Sequence, residues 1–330
     1  MTCTPSRRDL MLGCIAGGAA LAVPGILRAA PMLERLALFG PPAGPTITLA
    51  HAVATGALDG VAGDVSLTAW RDPDELRAGL TSGRMQVVIL PANAAANLYN
   101  KGLGLRMVNA MTNGLNYVVT RDPAVRGTAD LAGRAVALPF RNDTPDILLR
   151  RILAAAGVAG DAVTIVPAGT PIEAVQLLLS GKADCAVLPE PATTMAEMRA
   201  LQAGQQVTRA IDIQAEWGKL TGLGPVVPQA GLGVMEAFDT AHPGAVEAIQ
   251  DAIAATLPKV LADPGAAAKS ASRTLGMPAP VLAKSIPHSA LVATPARKAR
   301  PAFEAMFSAV SEVDPRAIGG KLPDDGFYRL

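Results

Sequence analysis

The sequence predicts an α/β protein built from two similar units in tandem, each a mostly parallel sheet flanked by helices. Three observations point there. A helix-then-strand segment is written twice at one spacing. In both copies the strand is a short, wholly apolar run, as expected for a strand buried on both faces of a parallel sheet. The segment before each copy also matches, as strand, loop and Pro-started helix.

The repeated segment reads Thr170-Pro171-Ile172-Glu173, an apolar helical run, Leu179-Ser180-Gly181, an apolar strand over residues 183–188, and Pro189. Its counterpart, 98 residues earlier and without a gap, is Asp72-Pro73-Asp74-Glu75, a helical run, Thr81-Ser82-Gly83, a strand over 85–90, and Pro91. Each copy opens with a capping residue, proline at the first helical position and glutamate at the third. Cap oxygen and glutamate then each satisfy free amides of the first turn. Each helix ends at a glycine, where the backbone turns left-handed. In the preceding segments, a strand over 36–39 leads through Gly40-Pro41-Pro42-Ala43-Gly44 into a helix from Pro45 to about Leu58. A strand over 135–138 leads through Pro139-Phe140-Arg141-Asn142-Asp143-Thr144 into a helix over 145–156, at a slightly different offset.

In chain order, residues 1–30 read as an export signal. Ser6-Arg7-Arg8-Asp9-Leu10 is a twin-arginine pattern before an apolar stretch broken by Gly13, Gly17, Gly18, Pro24 and Gly25. An N-terminal anchor is the alternative, and the glycines and Pro24 favour cleavage. Cys14 lies too early in the stretch to be a lipidation site. After Val65–Trp70, read as a strand, come the first copy of the repeat, a helix over 92–100, and strands over 105–111 and 117–120. A short capped helix, Thr128-Ala129-Asp130-Leu131, opens the second unit. Beyond Pro191 the pattern gives a helix over 192–203, an extended segment over 207–213, and a polar Gly-rich stretch over 214–224. Strands over 226–229 and 232–235 follow. From Phe238 onward short helices alternate with Pro and Gly, with no strands of their own.

Composition bounds the function. Within 330 residues, long enough for two ordinary domains, formal net charge is +1 and only eleven residues are aromatic: two Trp, three Tyr and six Phe. Neither a basic field nor a stacking surface argues for nucleic acid. Cys185 is the one cysteine beyond the signal and sits in an apolar strand, so it reads as a small core residue. The three histidines, His51, His242 and His288, have no metal-like spacing. The chain shows no Gly-x-Ser-x-Gly elbow and no Walker phosphate loop. No cofactor is expected.

Several motifs in fixed order resemble a known family: Leu80-Thr81-Ser82-Gly83-Arg84-Met85-Gln86-Val87-Val88, Asp130-Leu131-Ala132-Gly133-Arg134-Ala135-Val136-Ala137 and Leu179-Ser180-Gly181-Lys182-Ala183-Asp184-Cys185-Ala186-Val187. To these belong Pro189-Glu190-Pro191 and Asp239-Thr240-Ala241-His242-Pro243. The chain is similar to the periplasmic substrate-binding proteins of ABC importers with the type II fold, in the nitrate/sulfonate/taurine and thiamine-precursor (NMT1/THI5-like) branch. In that family an aromatic residue often precedes the Glu-Pro pair; Pro189 stands there instead.

The resemblance implies two lobes joined by two crossover strands, near 113–117 and 224–229, with the solute between them. Lobe I would be residues 31–115 plus 226–330, and lobe II residues 116–225. It implies a monomer in the periplasm that takes up a small solute, closes on it, and delivers it to a permease with its ATPase. An enzyme on the same fold, of pyrimidine-synthesis or lyase type, and a ligand-sensing accessory protein are the rivals.

Ligands of open parallel sheets collect beyond the carboxyl ends of the strands, where helix N-termini present amides. The candidate binding residues there are Gly40, Pro41, Pro42, Trp70, Asn93, Asn113, Arg141, Asn142, Asp143, Thr144, Glu190 and Gln229. Thr144 could serve as an N-cap, and Trp70 as a packed residue, equally well. Arg141 favours an anionic ligand and Glu190 a cationic one, so the charge of the solute stays open.

Overall fold

The computed structural model describes residues 31–139, 141 and 143–330. The export signal read over 1–30 lies outside the described residues, as do Phe140 and the candidate Asn142. The chain runs β1 (Leu33–Gly40), α1 (Gly44–Ala54), β2 (Ala62–Ala69), α2 (Pro73–Thr81), β3 (Val87–Pro91), α3 (Ala92–Asn100), β4 (Leu105–Met107) and β5 (Asn109–Thr112). Then follow β6 (Asn116–Thr120), β7 (Ala135–Pro139), α4 (Thr144–Ala155), β8 (Thr164–Ala168), α5 (Pro171–Leu179), β9 (Cys185–Pro189), α6 (Ala192–Gln202), β10 (Thr208–Asp212) and α7 (Ile213–Thr221). The last part is β11 (Ala230–Met235), α8 (Glu236–Ala241), α9 (Ala245–Ala262), α10 (Pro264–Leu275), α11 (Ala279–Ser285), β12 (Leu291–Pro295) and α12 (Ala296–Val313).

Two five-stranded sheets carry these helices, in the orders β2-β1-β3-β11-β4 and β10-β6-β9-β7-β8. They are the same sheet made twice. In each, three strands pair in parallel, a fourth runs antiparallel beside them, and the fifth is antiparallel to the fourth. Four strands in five therefore share a direction. The antiparallel strand is β11 in one sheet and β6 in the other, and each is the first strand after the chain changes sheets.

The 98-residue offset extends further than the motifs that reveal it. Leu38 pairs with Leu67 and with Val87 in the first sheet. Val136 pairs with Ile165 and with Cys185 in the second. Each residue of the second set is its counterpart plus 98. Helices α2 and α5 keep this offset, but α1 and α4 begin at Gly44 and Thr144, 100 apart. Counted from matched strand positions, the helix after β7 thus starts two residues later than its counterpart, and there the second unit departs from the first.

The repeated caps form as expected. Asp72 Oδ1 accepts from the Glu75 amide at 2.8 Å and Thr170 Oγ1 from the Glu173 amide at 3.2 Å. Each glutamate carboxylate reaches back to an amide before the cap, that of Arg71 at 2.9 Å and that of Gly169 at 2.7 Å. The apolar runs that follow lie at the centre of each sheet: Val88, Ile89 and Leu90, like Cys185, Val187 and Leu188, have no exposed surface. Burying each large apolar side chain of this kind is worth about 1.5–3 kcal/mol, so these strands anchor both halves.

Four expectations are corrected. The strand expected over 226–229 is absent; Val227 and Gln229 form a short turn, and the strand starts at Ala230. The polar stretch at 214–224 is mostly helix, because Asp212 caps the Ala215 amide and Trp217 turns inward. Its glycines end the helix, with Gly222 left-handed at the C-cap. The C-terminal helical block does contain a strand: β12 pairs with β5 in a two-stranded sheet. The expected strand over 105–111 is split accordingly, β4 joining β11 and β5 joining β12. Among the described residues no helix is long and apolar enough to cross a membrane.

Candidate functional site

The strand directions decide where loops gather. In the first sheet the parallel strands end at Gly40, Ala69 and Pro91; in the second they end at Pro139, Ala168 and Pro189. The antiparallel strands begin at those same edges, since Ala230 pairs with Pro91 and Asn116 with Pro189. Both crossovers therefore run between carboxyl edges, and they touch: the Val227 amide donates to the Asn113 carbonyl at 2.7 Å. The Ala92 amide donates to the Gln229 carbonyl, and the Glu190 amide to that of Leu115, each at 2.8 Å.

Candidates from opposite halves meet. Asn93 Nδ2, at the start of α3, donates to Asp143 Oδ1 at 2.8 Å across the gap between the sheets. Gln229 Oε1 accepts from Asn116 Nδ2 at 2.6 Å, joining one crossover to the other. Asn113 is half-buried between them. Gly40 closes β1 where the chain bends back on itself. A Cβ there would lie 2.5 Å from Thr46 Oγ1, which donates to the Pro41 carbonyl at 2.6 Å. Pro41 is half-buried, and Pro42 and Arg141 are exposed. Asp143, not Thr144, caps α4: its carboxylate accepts from the Thr144 amide at 2.7 Å, and Thr144 is the first, buried, helical residue. Helix α1 differs, with no side-chain cap and no acidic residue in its first turn, so its N-terminal dipole keeps its preference for a negative or carbonyl group.

Two candidates are built into the scaffold. Trp70 is 8% exposed, and its indole N–H donates to the Ile89 carbonyl at 3.0 Å, so its ring packs against the first sheet. The Glu190 carboxylate is wholly buried and engaged by Arg209 and by Thr194 Oγ1 at 2.8 Å. Arg209 also clamps Glu197 at 2.6 and 2.7 Å, and its guanidinium lies 5.3 Å from the Tyr117 ring centre. Burial pushes the Glu190 carboxyl above its ordinary range, although the Arg209 hydrogen bond pulls it down. Burial likewise raises the Tyr117 phenol to about 12. That phenol donates to the His288 carbonyl at 2.8 Å, tying β6 to the segment after α11.

Asn116, Gln214, Tyr117 and Arg209 were not among the candidates. Asn116 and Tyr117 lie inside the expected crossover, and a polar residue opening an apolar strand beside a hinge is the available signal. For Arg209 and Gln214 the sequence carries none, because their partners lie 19 and 98 residues away. His51 is a packed residue whose Nδ1 is 3.1 Å from Ser270 Oγ.

The NMT1/THI5-like family model matches residues 64–267, more than half of the chain. The chain belongs to the NMT1/THI5-like family. That match spans the repeat in both halves and both crossovers. The fold is similar to an ABC transporter structure from Parabacteroides distasonis, with TM-score 0.76 and 24% identity over 90% of this chain and 99% of that one. It is also similar to the periplasmic aliphatic sulphonate-binding protein SsuA of Escherichia coli, with TM-score 0.69 and 16% identity over 88% and 95%. The nitrate-binding protein NrtA of Synechocystis PCC 6803 matches with TM-score 0.59 and 15% identity over 78% and 71%. These likenesses establish the two-lobed periplasmic-binding-protein fold for this NMT1/THI5-like chain. No curated protein sequence matches it.

Proposed function

We propose that this NMT1/THI5-like protein is the solute-binding component of an ABC import system. It captures a small polar organic or oxyanion solute between its lobes, divided near residues 115 and 226, and hands it to a membrane permease with its ATPase. The observation that carries this reading is the Asn93–Asp143 contact: loops at the carboxyl edges of two separate sheets meet directly, so a small molecule between them would touch both. The solute would rest among Gly40, Pro41, Pro42, Asn93, Asn113, Arg141, Asn142, Asp143, Thr144 and Gln229, with Trp70 and Glu190 supporting them from behind. A solute touching both lobes binds the closed arrangement more tightly than the open one and so shifts the population toward closure. The twin-arginine segment would send the protein to the periplasm, where the nitrate- and sulphonate-binding proteins of similar fold also act.

A thermal-shift screen of the purified protein against sulfonates, nitrate, pyrimidines and amines tests this. At least one class is expected to raise the melting temperature, and Asn93→Ala and Asp143→Ala to diminish that rise. A screen without any shift, or a shift untouched by both substitutions, overturns the assignment.

A further inference from the structure

Asn116 stands apart among the polar residues between the two carboxyl edges. It is 1% exposed. Its backbone N–H donates to Gln214 Oε1 at 2.9 Å, and its Nδ2 donates to Gln229 Oε1 at 2.6 Å. Its Oδ1 is enclosed and has no hydrogen-bond partner among the described residues. Of the charged groups along these edges, Arg141 is exposed and three carboxylates are already committed. Asp143 accepts from Asn93 and from the Thr144 amide. Asp212 accepts from Gln214 Nε2 and the Ala215 amide. Glu190 is held by Arg209 and Thr194. What is left unmatched beside Gln229 is a neutral carboxamide oxygen, a hydrogen-bond acceptor with nothing to accept.

We propose that Asn116 is a specificity-determining residue and selects solutes that bring an N–H or O–H donor to its amide oxygen. This rests on the solute-binding reading and deepens it. An enclosed acceptor left unmatched costs free energy that a donor on the ligand removes, so the site discriminates against an isostere that lacks the donor. The favoured class is a small amine, amide, aminated heterocycle or hydroxylated solute, including a sulfonate that carries such a group. A bare oxyanion without a donor, such as nitrate, is disfavoured. Position supports the role: Asn116 is the first residue of β6, paired to the end of β9 and bonded to the opposite crossover, so it touches both halves at once.

Titration calorimetry with two matched series tests this. Ethanesulfonate, isethionate and taurine share a sulfonate and differ in the donor; pyrimidine and 4-aminopyrimidine share a ring. In at least one series the donor-bearing members are expected to bind about tenfold or more tighter than the donor-free one. Asn116→Leu should erase that preference. Asn116→Asp keeps the acceptor, and Gln229 can turn its amide to donate to it, so this variant should retain the preference. It also shows that substitution at 116 leaves a folded, binding-competent protein. Equal or tighter binding of the donor-free members, or a preference that survives Asn116→Leu, overturns the inference and leaves the solute-binding reading standing. Absence of binding throughout both series and the wider screen overturns that reading, and the inference with it.

Discussion

Replacing Arg209 with leucine should expose how the second half holds its buried charge. Glu190 has no solvent exposure, and Arg209 is its only cationic partner among the described residues. Removing one member of a buried ion pair costs about 3–5 kcal/mol, because the remaining charge is left desolvated. Glu197 loses the same partner but is 28% exposed at its side chain, so water compensates most of that loss. The deficit should depend on pH. Burial already raises the Glu190 carboxyl in the folded protein, so between its ordinary value and the raised one the folded state holds more protons than the unfolded state. Stability from this group is thus fully present below the ordinary value and is lost as pH rises through the raised one. Without Arg209 the raise grows, and the Arg209→Leu deficit should be larger at pH 8 than at pH 5. Urea unfolding at both pH values measures it, with Glu190→Gln and the double variant completing the cycle. The double variant should recover about 2 kcal/mol or more of the single loss. An Arg209→Leu protein within about 1 kcal/mol of the parent at pH 8, or a double variant no more stable than the single, would refute the account.

Three further outcomes follow from the same geometry. Asp72→Ala and Thr170→Ala, equivalent caps in the two units, should each cost about 1 kcal/mol in urea unfolding; losses differing by more than about 1 kcal/mol would deny that the repeat is energetic as well as geometric. Gly114 has φ of +125°, and a Cβ there would lie 1.8 Å from Gln214 Cγ, so Gly114→Ala should cost about 2–4 kcal/mol, read as a lowered urea midpoint. Cys185 is fully buried and its thiol is raised by burial, so a maleimide should leave it unlabelled in the native protein and label it in urea, as mapped by peptide mass spectrometry.

Local pattern alone determined a large part of this protein. The caps Asp72 and Thr170, the Ser-Gly stops and the apolar runs 87–90 and 185–188 each act within a few residues, so they are readable in one dimension, and their repetition announced two equal sheets. Strand ends followed from the same pattern, which is why Asn93 and Asp143 could be named from the chain and do meet. Tertiary structure decided the rest. Helix α7 looked like a polar loop because its inward face rests on one Trp and a cap. Strand β12 became a strand only because β5 lay beside it. Whether Glu190 faced a solute or an arginine depended on a partner on another strand, and whether Trp70 stacked or packed depended on one carbonyl of β3. The contact of Asn116 with Gln229, across 113 residues of chain, exists only once both crossovers are laid side by side. Short-range hydrogen bonds and side-chain periodicity are encoded along the chain; desolvation and charge pairing depend on what the fold brings next to each group.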